Sequence, residues 1–413
     1  MVNYFYDVYS ILNKVYSDKA YLKQAINSTP IEEKNRSLTV KTCYGVLDKD
    51  IELSYYISKL ANKTPKLAVR TILKIAMYNI KFLNKHDYAV TKNAVELVKK
   101  LGKGGMAGFV NAFLRKFISN TIELPKEGIQ SLSVKYSYPE FLVREIIKDY
   151  GRERAEKILS SENKKTCLTF YGIDGEKYLT EKGVSFEKTP YDNVFFAENF
   201  VRNDDYDKGL YTYQSIGSVA ICDAVVKGET LLDACSAPGG KSINLSRKFD
   251  RIVAADVHEH RVNLIEDYKF RMNVNNVFTK VLDSKEYFEE FDSSFDAVLC
   301  DVPCSGTGVI NDNPDIKLNR TENDLDAITL EQTQILNNCS RYVKKGGYLY
   351  YSTCSILKRE NTEIVKAFLS KNKEFSVCEI NPKIPHEKDG EFIQFLPDIS
   401  YGLGFFVAKL KRI

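Results

Sequence analysis

Apolar side chains recur with helical spacing through the first 120 residues of the chain. They follow a period close to 3.6 residues over 64–83, over 89–101 and over 109–117. A glycine-rich cluster at 102–105 ends the second stretch, because glycine is common just beyond helix C-termini. Strand-like alternation is almost missing from this region. The pattern therefore predicts an all-α bundle.

A different pattern begins after residue 120. Glu123-Leu124-Pro125-Lys126 is a candidate linker, because proline breaks helices and favours extended structure in the residue before it. The elements expected beyond it are two helices, over 141–150 and 152–159, and three short strands, over 166–171, 184–187 and 194–196. These elements predict a small α/β segment.

From residue 206 onward, strands and helices alternate. Strands are expected over 230–234, 251–256, 277–282, 295–301, 347–352 and 404–409, and helices over 240–249, 259–272, 324–342 and 360–369. This alternation predicts a doubly wound, mostly parallel sheet, which binds ligands beyond the carboxyl ends of its strands. We therefore expect three domains: a helical bundle over 1–122, a small α/β linker domain over 123–208 and an α/β domain over 209–413.

Composition places the chain among globular proteins. Its 413 residues are 44% hydrophobic and 28% charged, which excludes disordered and collagenous classes, and no apolar run approaches the length of a membrane span. The N-terminus lacks the basic and then apolar pattern of a signal peptide, so we expect a cytoplasmic protein. Nine cysteines, an odd number without a small-scaffold framework, favour free thiols.

Charge is distributed unevenly along the chain. Residues 1–120 contain 20 Lys and Arg against 9 Asp and Glu, a net charge of +11, while the remainder carries −7. This asymmetry favours a module that binds nucleic acid, joined to a part with another role. A lysine-rich solvated surface is the alternative.

A loop rich in small residues follows the first strand of the α/β region. It runs through Cys235, Ser236, Ala237, Pro238, Gly239, Gly240 and Lys241. Its glycines allow a ligand to approach the backbone. A phosphate-binding loop is disfavoured because Cys235 stands where its first glycine belongs, and G-x-G-x-x-G is absent from this loop. A turn without a ligand stays an alternative.

Two acidic residues follow the next two strands. Asp256 could accept hydrogen bonds from ribose hydroxyls, and Asp283 could bind an adenine amino group. Each could instead be a helix cap. Taken together on one edge of the sheet, they favour a cofactor that contains adenosine.

Two cysteines follow the fourth and fifth strands, on the same edge. Cys304 lies in Asp301-Val302-Pro303-Cys304, and Cys354 lies in Ser352-Thr353-Cys354-Ser355. A thiol there could be a nucleophile, a metal ligand or inert packing. Zinc is disfavoured, since C-x₂-C pairs are absent and the four histidines are not suitably spaced, so we expect no metal. Cys300, on the strand itself, is expected to be a buried structural thiol.

Three segments together resemble the RNA cytosine-5 methyltransferase family. They are CSAPGGK at 235–241, DVPCSGTG at 301–308 and YSTCS at 351–355, the last followed by Glu360-Asn361. The N-terminal third resembles the NusB-like RNA-binding domain at 72–82, 89–102 and 108–117. The combination is similar to the RsmB (Sun/Fmu) branch of bacterial small-subunit ribosomal RNA methyltransferases, over nearly the whole chain. Asn311-Asp312-Asn313-Pro314-Asp315 departs from that branch by lacking arginines before the proline.

The resemblance implies a fold, a cofactor and a mechanism. The α/β domain is expected to be a Rossmann-like methyltransferase that uses S-adenosylmethionine, bound by residues 235–241, Asp256, Asp283 and Asp301. Cys354 is implied as the nucleophile that attacks carbon 6 of cytosine, and Asp301 as the group that holds or protonates nitrogen 3. Cys304 is implied to assist release of the product. Lys241 could lower a thiol pKa or contact substrate.

The implied partner is small-subunit ribosomal RNA, either naked or in an early assembly intermediate. The protein is expected to act as a monomer and not to associate with a membrane. Candidate RNA contacts are Lys92, Lys99, Lys100, Lys103, Arg115 and Lys116, although each taken singly is more typical of a solvated helix face. Transfer RNA as substrate is an alternative. So is an RNA-binding assembly factor without catalysis, which the retention of both Cys304 and Cys354 argues against.

Overall fold

The computed structural model describes residues 2–163 and 165–413, with the side chains of Val2 and Asn3 left out. Its contacts divide the chain into two compact units. The first comprises residues 1–160 together with 310–321, and the second comprises 161–309 together with 322–413. In the part of the chain described, no helix is both long and apolar enough to cross a membrane.

The first unit is helical, as predicted. Its helices are α1 (Val2–Asp18), α2 (Leu22–Asn27), α3 (Glu33–Asp48), α4 (Asp50–Leu60), α5 (Leu67–Lys81), α6 (Asp87–Lys100), α7 (Ala107–Ser119), α8 (Gly128–Tyr136), α9 (Glu140–Tyr150) and α10 (Arg152–Ser160). The three apolar stretches of the sequence correspond to α5, α6 and α7. Their buried faces share one core with α1, α3 and α4, so the bundle is organised around the periodicity seen in the sequence.

A segment from much later in the chain completes the first unit. Residues 310–321 include the short helix α16 (Ile316–Asn319). Lys317 is buried there, and its Nζ donates to the Asp48 carboxylate at 2.8 Å and lies 4.4 Å from the Tyr138 ring centroid. The Asp315 carboxylate accepts from the backbone N–H of Leu22 at 3.2 Å and so caps α2.

The second unit begins with a small antiparallel sheet. Its strands are β1 (Thr166–Phe170), β2 (Phe186–Lys188), β3 (Val194–Ala197) and β4 (Tyr211–Tyr213), in the order β2-β3-β1-β4. The first three strands were predicted. The fourth, which pairs with β1, was not predicted.

A larger mixed sheet forms the rest of the second unit. Its strands are β5 (Gly228–Asp233), β6 (Phe249–Asp256), β7 (Val277–Val281), β8 (Phe295–Asp301), β9 (Val343–Thr353), β10 (Phe375–Val377), β11 (Glu387–Asp389), β12 (Phe392–Phe395) and β13 (Phe405–Arg412). The order β9-β8-β5-β6-β7 is parallel throughout. Beyond β9, the strands β13, β12 and β11 pair antiparallel, and β10 also pairs antiparallel with β13. The Rossmann-like prediction is confirmed, with an antiparallel extension.

Helices accompany both sheets of the second unit, and the first two of them pack against the small sheet. They are α11 (Gly175–Glu181), α12 (Asp204–Asp207), α13 (Ile216–Ala224), α14 (Gly240–Leu245), α15 (Glu259–Arg271), α17 (Glu322–Cys339) and α18 (Thr362–Lys371). The helix expected over 240–249 ends four residues early, at Leu245. Its expected last residue, Phe249, instead begins β6 and is buried in the core.

The two units differ from the three domains expected from the sequence. The first expected domain begins at Met1, which lies outside the described residues, and it ended at 122. Residues 123–160 were assigned to the small α/β domain, but α8–α10 belong to the helical unit. Contacts explain the difference: the Ser137 hydroxyl, just after α8, accepts from the backbone N–H of Ile51 at 2.8 Å. The small sheet lies in the same unit as the large one.

Candidate active site

The two candidate cysteines follow neighbouring parallel strands. In the β8–β9 pair, Asp301 lies opposite Ser352, so the loops that follow begin side by side. The sulfur atoms of Cys304 and Cys354 are 3.1 Å apart. Residues 50 positions apart in the chain are therefore brought together at the carboxyl ends of the strands.

Backbone contacts join the two cysteine loops. The Gly308 N–H donates to the Cys354 carbonyl at 2.9 Å, and the Ile356 N–H donates to the Thr307 hydroxyl at 3.1 Å. Gly308 permits this approach, since a Cβ there would lie 2.1 Å from the carbonyl oxygen of Gly404. The relative position of the thiols is thus set by the backbone as well as by side chains.

The surroundings of Cys304 favour its protonated form. The hydrogen bond with the Cys354 sulfur, and then burial, raise the pKa of Cys304 well above its usual range. A protonated thiol can give a proton to a leaving group but is a poor nucleophile, which suits assistance rather than attack. Cys300 on β8 is fully buried and lies in the core, which confirms the prediction of a structural thiol.

Asp301 is fixed by two donors at the end of β8. One carboxylate oxygen accepts from the Lys241 Nζ at 2.6 Å, and the other accepts from the Ser352 hydroxyl at 2.7 Å. Burial alone would lower the pKa of Lys241, but the charge and hydrogen bond of Asp301 hold it above its usual value. Lys241, whose role the sequence left open, therefore stays charged and orients Asp301.

The loop 235–241 leads from β5 into α14. The Ser236 N–H donates to the Ala255 carbonyl at 2.8 Å, which holds the loop against the end of β6. Gly239 has a φ of +103°, and a Cβ there would lie 3.2 Å from Ile265 Cγ2. Glycine is needed for both reasons. The loop is thus an ordered turn at the carboxyl edge of the sheet.

Asp256 and Asp283 lie on the same edge. The Leu282 N–H donates to the Asp256 carbonyl at 3.0 Å, so the ends of β6 and β7 meet. The Asp256 carboxylate is buried and lies 3.4 Å from the guanidinium of Arg261. Arg261 also donates to the Ala237 carbonyl at 3.1 Å, a link between loop and carboxylate that the sequence did not reveal. The Asp283 carboxylate accepts from the Lys285 N–H at 2.9 Å and is partly exposed.

Sequence reasoning gave no role to Asp233, although it lies just before the loop 235–241. Its side chain is fully buried at the end of β5 and accepts from the Ser242 hydroxyl at 2.7 Å. Burial, with the nearby charge of Asp301 adding to it, raises the pKa of Asp233 to about 6. Asp233 therefore supports the start of α14 from below the loop.

Sequence reasoning also missed two polar residues beside the cysteine loops. Glu360 was part of the quoted motif without a role, and Gln332 on α17 was not noticed; both are fully buried. A signal for Gln332 was present, because it falls on the apolar stripe of α17. That stripe is formed by Leu325, Ile328, Ile335, Leu336 and Cys339. A glutamine among such residues needs hydrogen-bond partners.

The first unit carries a groove between α6 and α7. It encloses about 560 Å³, and Lys92, Lys99 and Arg115 of the six candidate RNA contacts line it together with Asn111 and Tyr88. The Tyr88 side chain is 74% exposed. The other three candidates lie outside the groove lining: Lys100 lies over the Tyr6 ring, Lys116 donates to the Leu60 carbonyl, and Lys103 is exposed.

Two protein families match separate parts of the chain. Residues 220–411 match a family described as "16S rRNA methyltransferase RsmB/F", and residues 3–119 match the NusB family. The predicted resemblance of the N-terminal third to NusB is thereby confirmed.

Named relatives cover nearly the whole chain. A "Probable ribosomal RNA small subunit methyltransferase B" of Bacillus subtilis (strain 168) is 30% identical, over 97% of this chain and 95% of the relative. A "Ribosomal RNA small subunit methyltransferase B" of Photorhabdus laumondii is 28% identical, over 92% of each chain. Among solved structures, that of PH0851 has the same fold, with a TM-score of 0.85 and 21% identity over 100% of this chain and 99% of that one. The chain belongs to the RsmB/F family of 16S rRNA methyltransferases and carries a NusB-family region at its N-terminus.

Proposed function

We propose that this protein transfers a methyl group from S-adenosylmethionine to carbon 5 of a cytosine in small-subunit ribosomal RNA, through a covalent bond between Cys354 and the base. The observation that carries the proposal is the pair of thiols, 3.1 Å apart, beside Asp301 at the strand ends. The substrate class is supported by the names of relatives that match over nearly the full length.

The residues at the carboxyl edge of β5, β6 and β7 fit the proposed cofactor. Asp256 and Asp283 offer carboxylate acceptors suited to ribose hydroxyls and an adenine amino group, and the loop 235–241 turns at the same edge of the sheet. Cys235, Ser236, Ala237, Pro238, Gly240 and Lys241 complete the proposed binding loop. When bound, S-adenosylmethionine supplies an electrophilic methyl group.

The two cysteines and Asp301 divide the proposed reaction. The Cys354 thiolate forms a bond to carbon 6, the 5,6 double bond shifts its electrons toward nitrogen 3, and Asp301 holds or protonates that nitrogen. Carbon 5, now part of an enamine, would bond to the methyl group of the bound cofactor as the methyl–sulfur bond breaks, which leaves S-adenosylhomocysteine. A base then removes the proton from carbon 5, the electrons restore the 5,6 double bond, and the bond from Cys354 to carbon 6 breaks. Cys304, a thiol beside the departing sulfur, assists this last step.

RNA must present an unpaired base to this site. Carbon 6 of a stacked base is out of reach, so the target cytosine has to leave its stack or lie in a single-stranded segment. The positive charge of residues 1–120 and the groove lined by Lys92, Lys99 and Arg115 support binding of flanking RNA by the first unit. Tyr88 offers an exposed ring on which a base can stack.

Bisulfite mapping of ribosomal RNA tests the proposal directly. RNA from cells that lack the protein is compared with RNA from cells that produce it. We expect at least one cytosine of small-subunit ribosomal RNA to resist bisulfite in the producing cells and to lose that resistance in the cells that lack the protein. Wild-type protein and Cys378→Ala, a change in a cysteine away from the site, should restore that resistance, whereas Cys354→Ala should not. An unchanged pattern of resistant cytosines would contradict the proposed function.

A further inference from the structure

We propose that Glu360 is a positioning residue that holds the Cys304 loop against the Cys354 loop, with Gln332 as its partner. The inference rests on the proposed function and concerns how its release step is supported. Glu360 lies between β9 and α18, and its side chain is fully buried. Neither residue reacts in the proposed mechanism, so a separate reason is needed for burying a carboxyl group and an amide there.

One carboxyl group contacts the residue that follows each cysteine. One oxygen of Glu360 accepts from the backbone N–H of Ser305 at 2.7 Å. The other oxygen accepts from the hydroxyl of Ser355 at 2.9 Å. Because Ser305 follows Cys304 and Ser355 follows Cys354, this single side chain is hydrogen-bonded to both cysteine loops, in addition to the backbone contacts that join them.

Gln332 holds the other side of Cys304. Its amide donates to the carbonyl of Pro303 at 2.9 Å and to Glu360 at 3.2 Å. The peptide groups on both sides of Cys304 are thus bonded to two side chains that also bond each other. Pro303 itself has no N–H to donate, so its carbonyl is the group through which that residue can be held.

Hydroxyl groups extend the contact between the loops. Ser305, Thr307 and Ser355 form a cluster in which the Thr307 and Ser355 oxygens are 3.0 Å apart and the Ser305 and Ser355 oxygens 3.3 Å apart. These bonds are between hydroxyl groups, whereas the Glu360 carboxyl group accepts from a backbone amide, a hydroxyl and the Gln332 amide. Loss of the acceptor would leave buried donors without a partner, and an unpaired buried donor destabilises the fold more than the loss of both partners of a hydrogen bond.

The consequence should appear in the release of Cys354 from the RNA. If Glu360 sets the distance between the thiols, its loss separates Cys304 from the departing sulfur while leaving Cys354 able to attack. The covalent adduct should then accumulate, as it should when Cys304 itself is removed. A residue needed only for stability would instead lower adduct and methylation together.

The experiment compares Glu360→Gln with Glu363→Gln, an exposed glutamate on α18, in the full-length protein. Each variant is incubated with S-adenosylmethionine and a transcript of small-subunit ribosomal RNA, and adduct is measured as a shifted band on a denaturing gel. We expect Glu360→Gln to raise the adduct fraction several-fold and to slow turnover by roughly tenfold, the effect of losing a buried hydrogen bond. Glu363→Gln should match wild type.

A double variant shows whether Glu360 acts through Cys304. In a Cys304→Ala background, Glu360→Gln should add no further adduct and no further loss of turnover, because the thiol that it positions is already gone. An equal additional effect in that background would overturn the inference. So would wild-type turnover in Glu360→Gln, or loss of methylation without adduct in a variant that binds S-adenosylhomocysteine normally.

A second variant covers the possibility that Glu360→Gln does not fold. Gln332→Met has a similar side-chain volume but lacks both hydrogen bonds that the Gln332 amide donates. We expect the adduct to accumulate in this variant as well, to a smaller extent, and a variant without adduct would then overturn the inference. The Cys304→Ala control separates the two proposals. Adduct from Cys304→Ala but none from the positioning variants refutes the inference alone, whereas no adduct from Cys304→Ala overturns the proposed function and the inference with it.

Discussion

The two active-site cysteines have the same side chain but different surroundings. The loop around Cys304 is held on both sides, by Gln332 and Glu360, and its thiol has a raised pKa. Cys354 is the thiol beside it at the end of β9. This asymmetry at the scale of single residues underlies the separate roles proposed for attack and release.

Replacement of the proposed nucleophile should abolish the reaction without loss of the fold. Cys354→Ala is expected to reduce methyl transfer to background, because no other group then forms the bond to carbon 6. Its affinity for S-adenosylhomocysteine, measured by calorimetry, should stay within about twofold of wild type, since 235–241 is a separate loop. Full activity in Cys354→Ala would contradict the assignment.

Replacement of the second cysteine should have a different result. Cys304→Ala is expected to retain attack but to slow release, so that RNA remains attached to the protein under denaturing conditions. Cys378→Ala is the matched control and should leave no attached RNA. A Cys304→Ala variant from which RNA dissociates as freely as from wild type would exclude the release role.

Asp233 makes stability depend on pH. Because its pKa in the folded protein is raised to about 6 from an ordinary 3.8, the folded state prefers the protonated carboxyl group. The stability that this preference contributes is complete below about pH 4 and is lost as the pH rises through about 6, a change of about 3 kcal/mol in the free energy of unfolding.

The difference between wild type and Asp233→Asn isolates this contribution. In urea unfolding between pH 4 and pH 7, wild type should lose about 3 kcal/mol relative to Asp233→Asn. The exposed Asp250→Asn, on the adjacent strand, should show no such trend. Parallel pH profiles for wild type and Asp233→Asn would show that Asp233 is not the titrating group.

At the scale of elements, helix α2 is notable because it begins without a local cap. Tyr21 precedes it and makes no side-chain capping bond, whereas the Asp315 carboxylate, from the segment 310–321, accepts from the first N–H of the helix. A helix of six residues is unstable alone, so it depends on such tertiary contacts.

Asp315→Ala should therefore destabilise the first unit near α2. We expect a loss of about 1 to 2 kcal/mol in the free energy of unfolding and faster amide hydrogen exchange in α2. Asp315→Asn, which keeps an acceptor oxygen, should lose less. Asp18→Ala removes an exposed carboxylate of the same unit and serves as the control; an equal effect in Asp18→Ala would rule out the capping role.

At the scale of the whole molecule, positive charge is concentrated in the N-terminal third. The groove lined by Lys92, Lys99 and Arg115 provides one place where RNA phosphates could bind, with Tyr88 available to a base. Affinity that arises from phosphate contacts falls with salt in proportion to the number of contacts. Salt dependence therefore measures whether these three cations act together.

Changing all three groove cations to glutamine should weaken RNA binding. We expect the affinity of this triple variant to fall by at least about tenfold, and the slope of log affinity against log salt to decrease by about 2 to 3. Binding of S-adenosylhomocysteine should not change. A control triple variant, Lys34→Gln, Lys41→Gln and Lys63→Gln, removes the same charge from exposed sites of the first unit; an equal effect there would argue against the groove.

Much of this molecule follows from local patterns. Helices α5–α7 and the parallel strands were predicted because the spacing of apolar residues depends on the period of the element and not on its partners. The antiparallel additions β11 and β12 were not predicted, although strands as short as β2 and β3 were, so a strand of three or four residues is not identified consistently from its own pattern. The position of 310–321 in the first unit was also unpredicted, since no local signal says where a segment packs.

The sequence by itself determined the chemical groups of the site: two cysteines, an aspartate and a glycine-rich loop, each at the end of a predicted strand. Its motifs also identified the family. Only the tertiary structure decided which groups meet. It showed Lys241 on Asp301, Arg261 on Asp256, and Glu360 with Gln332 around Cys304. Such contacts join residues far apart in the chain, and their distances depend on how strands and helices pack, which a one-dimensional pattern does not contain.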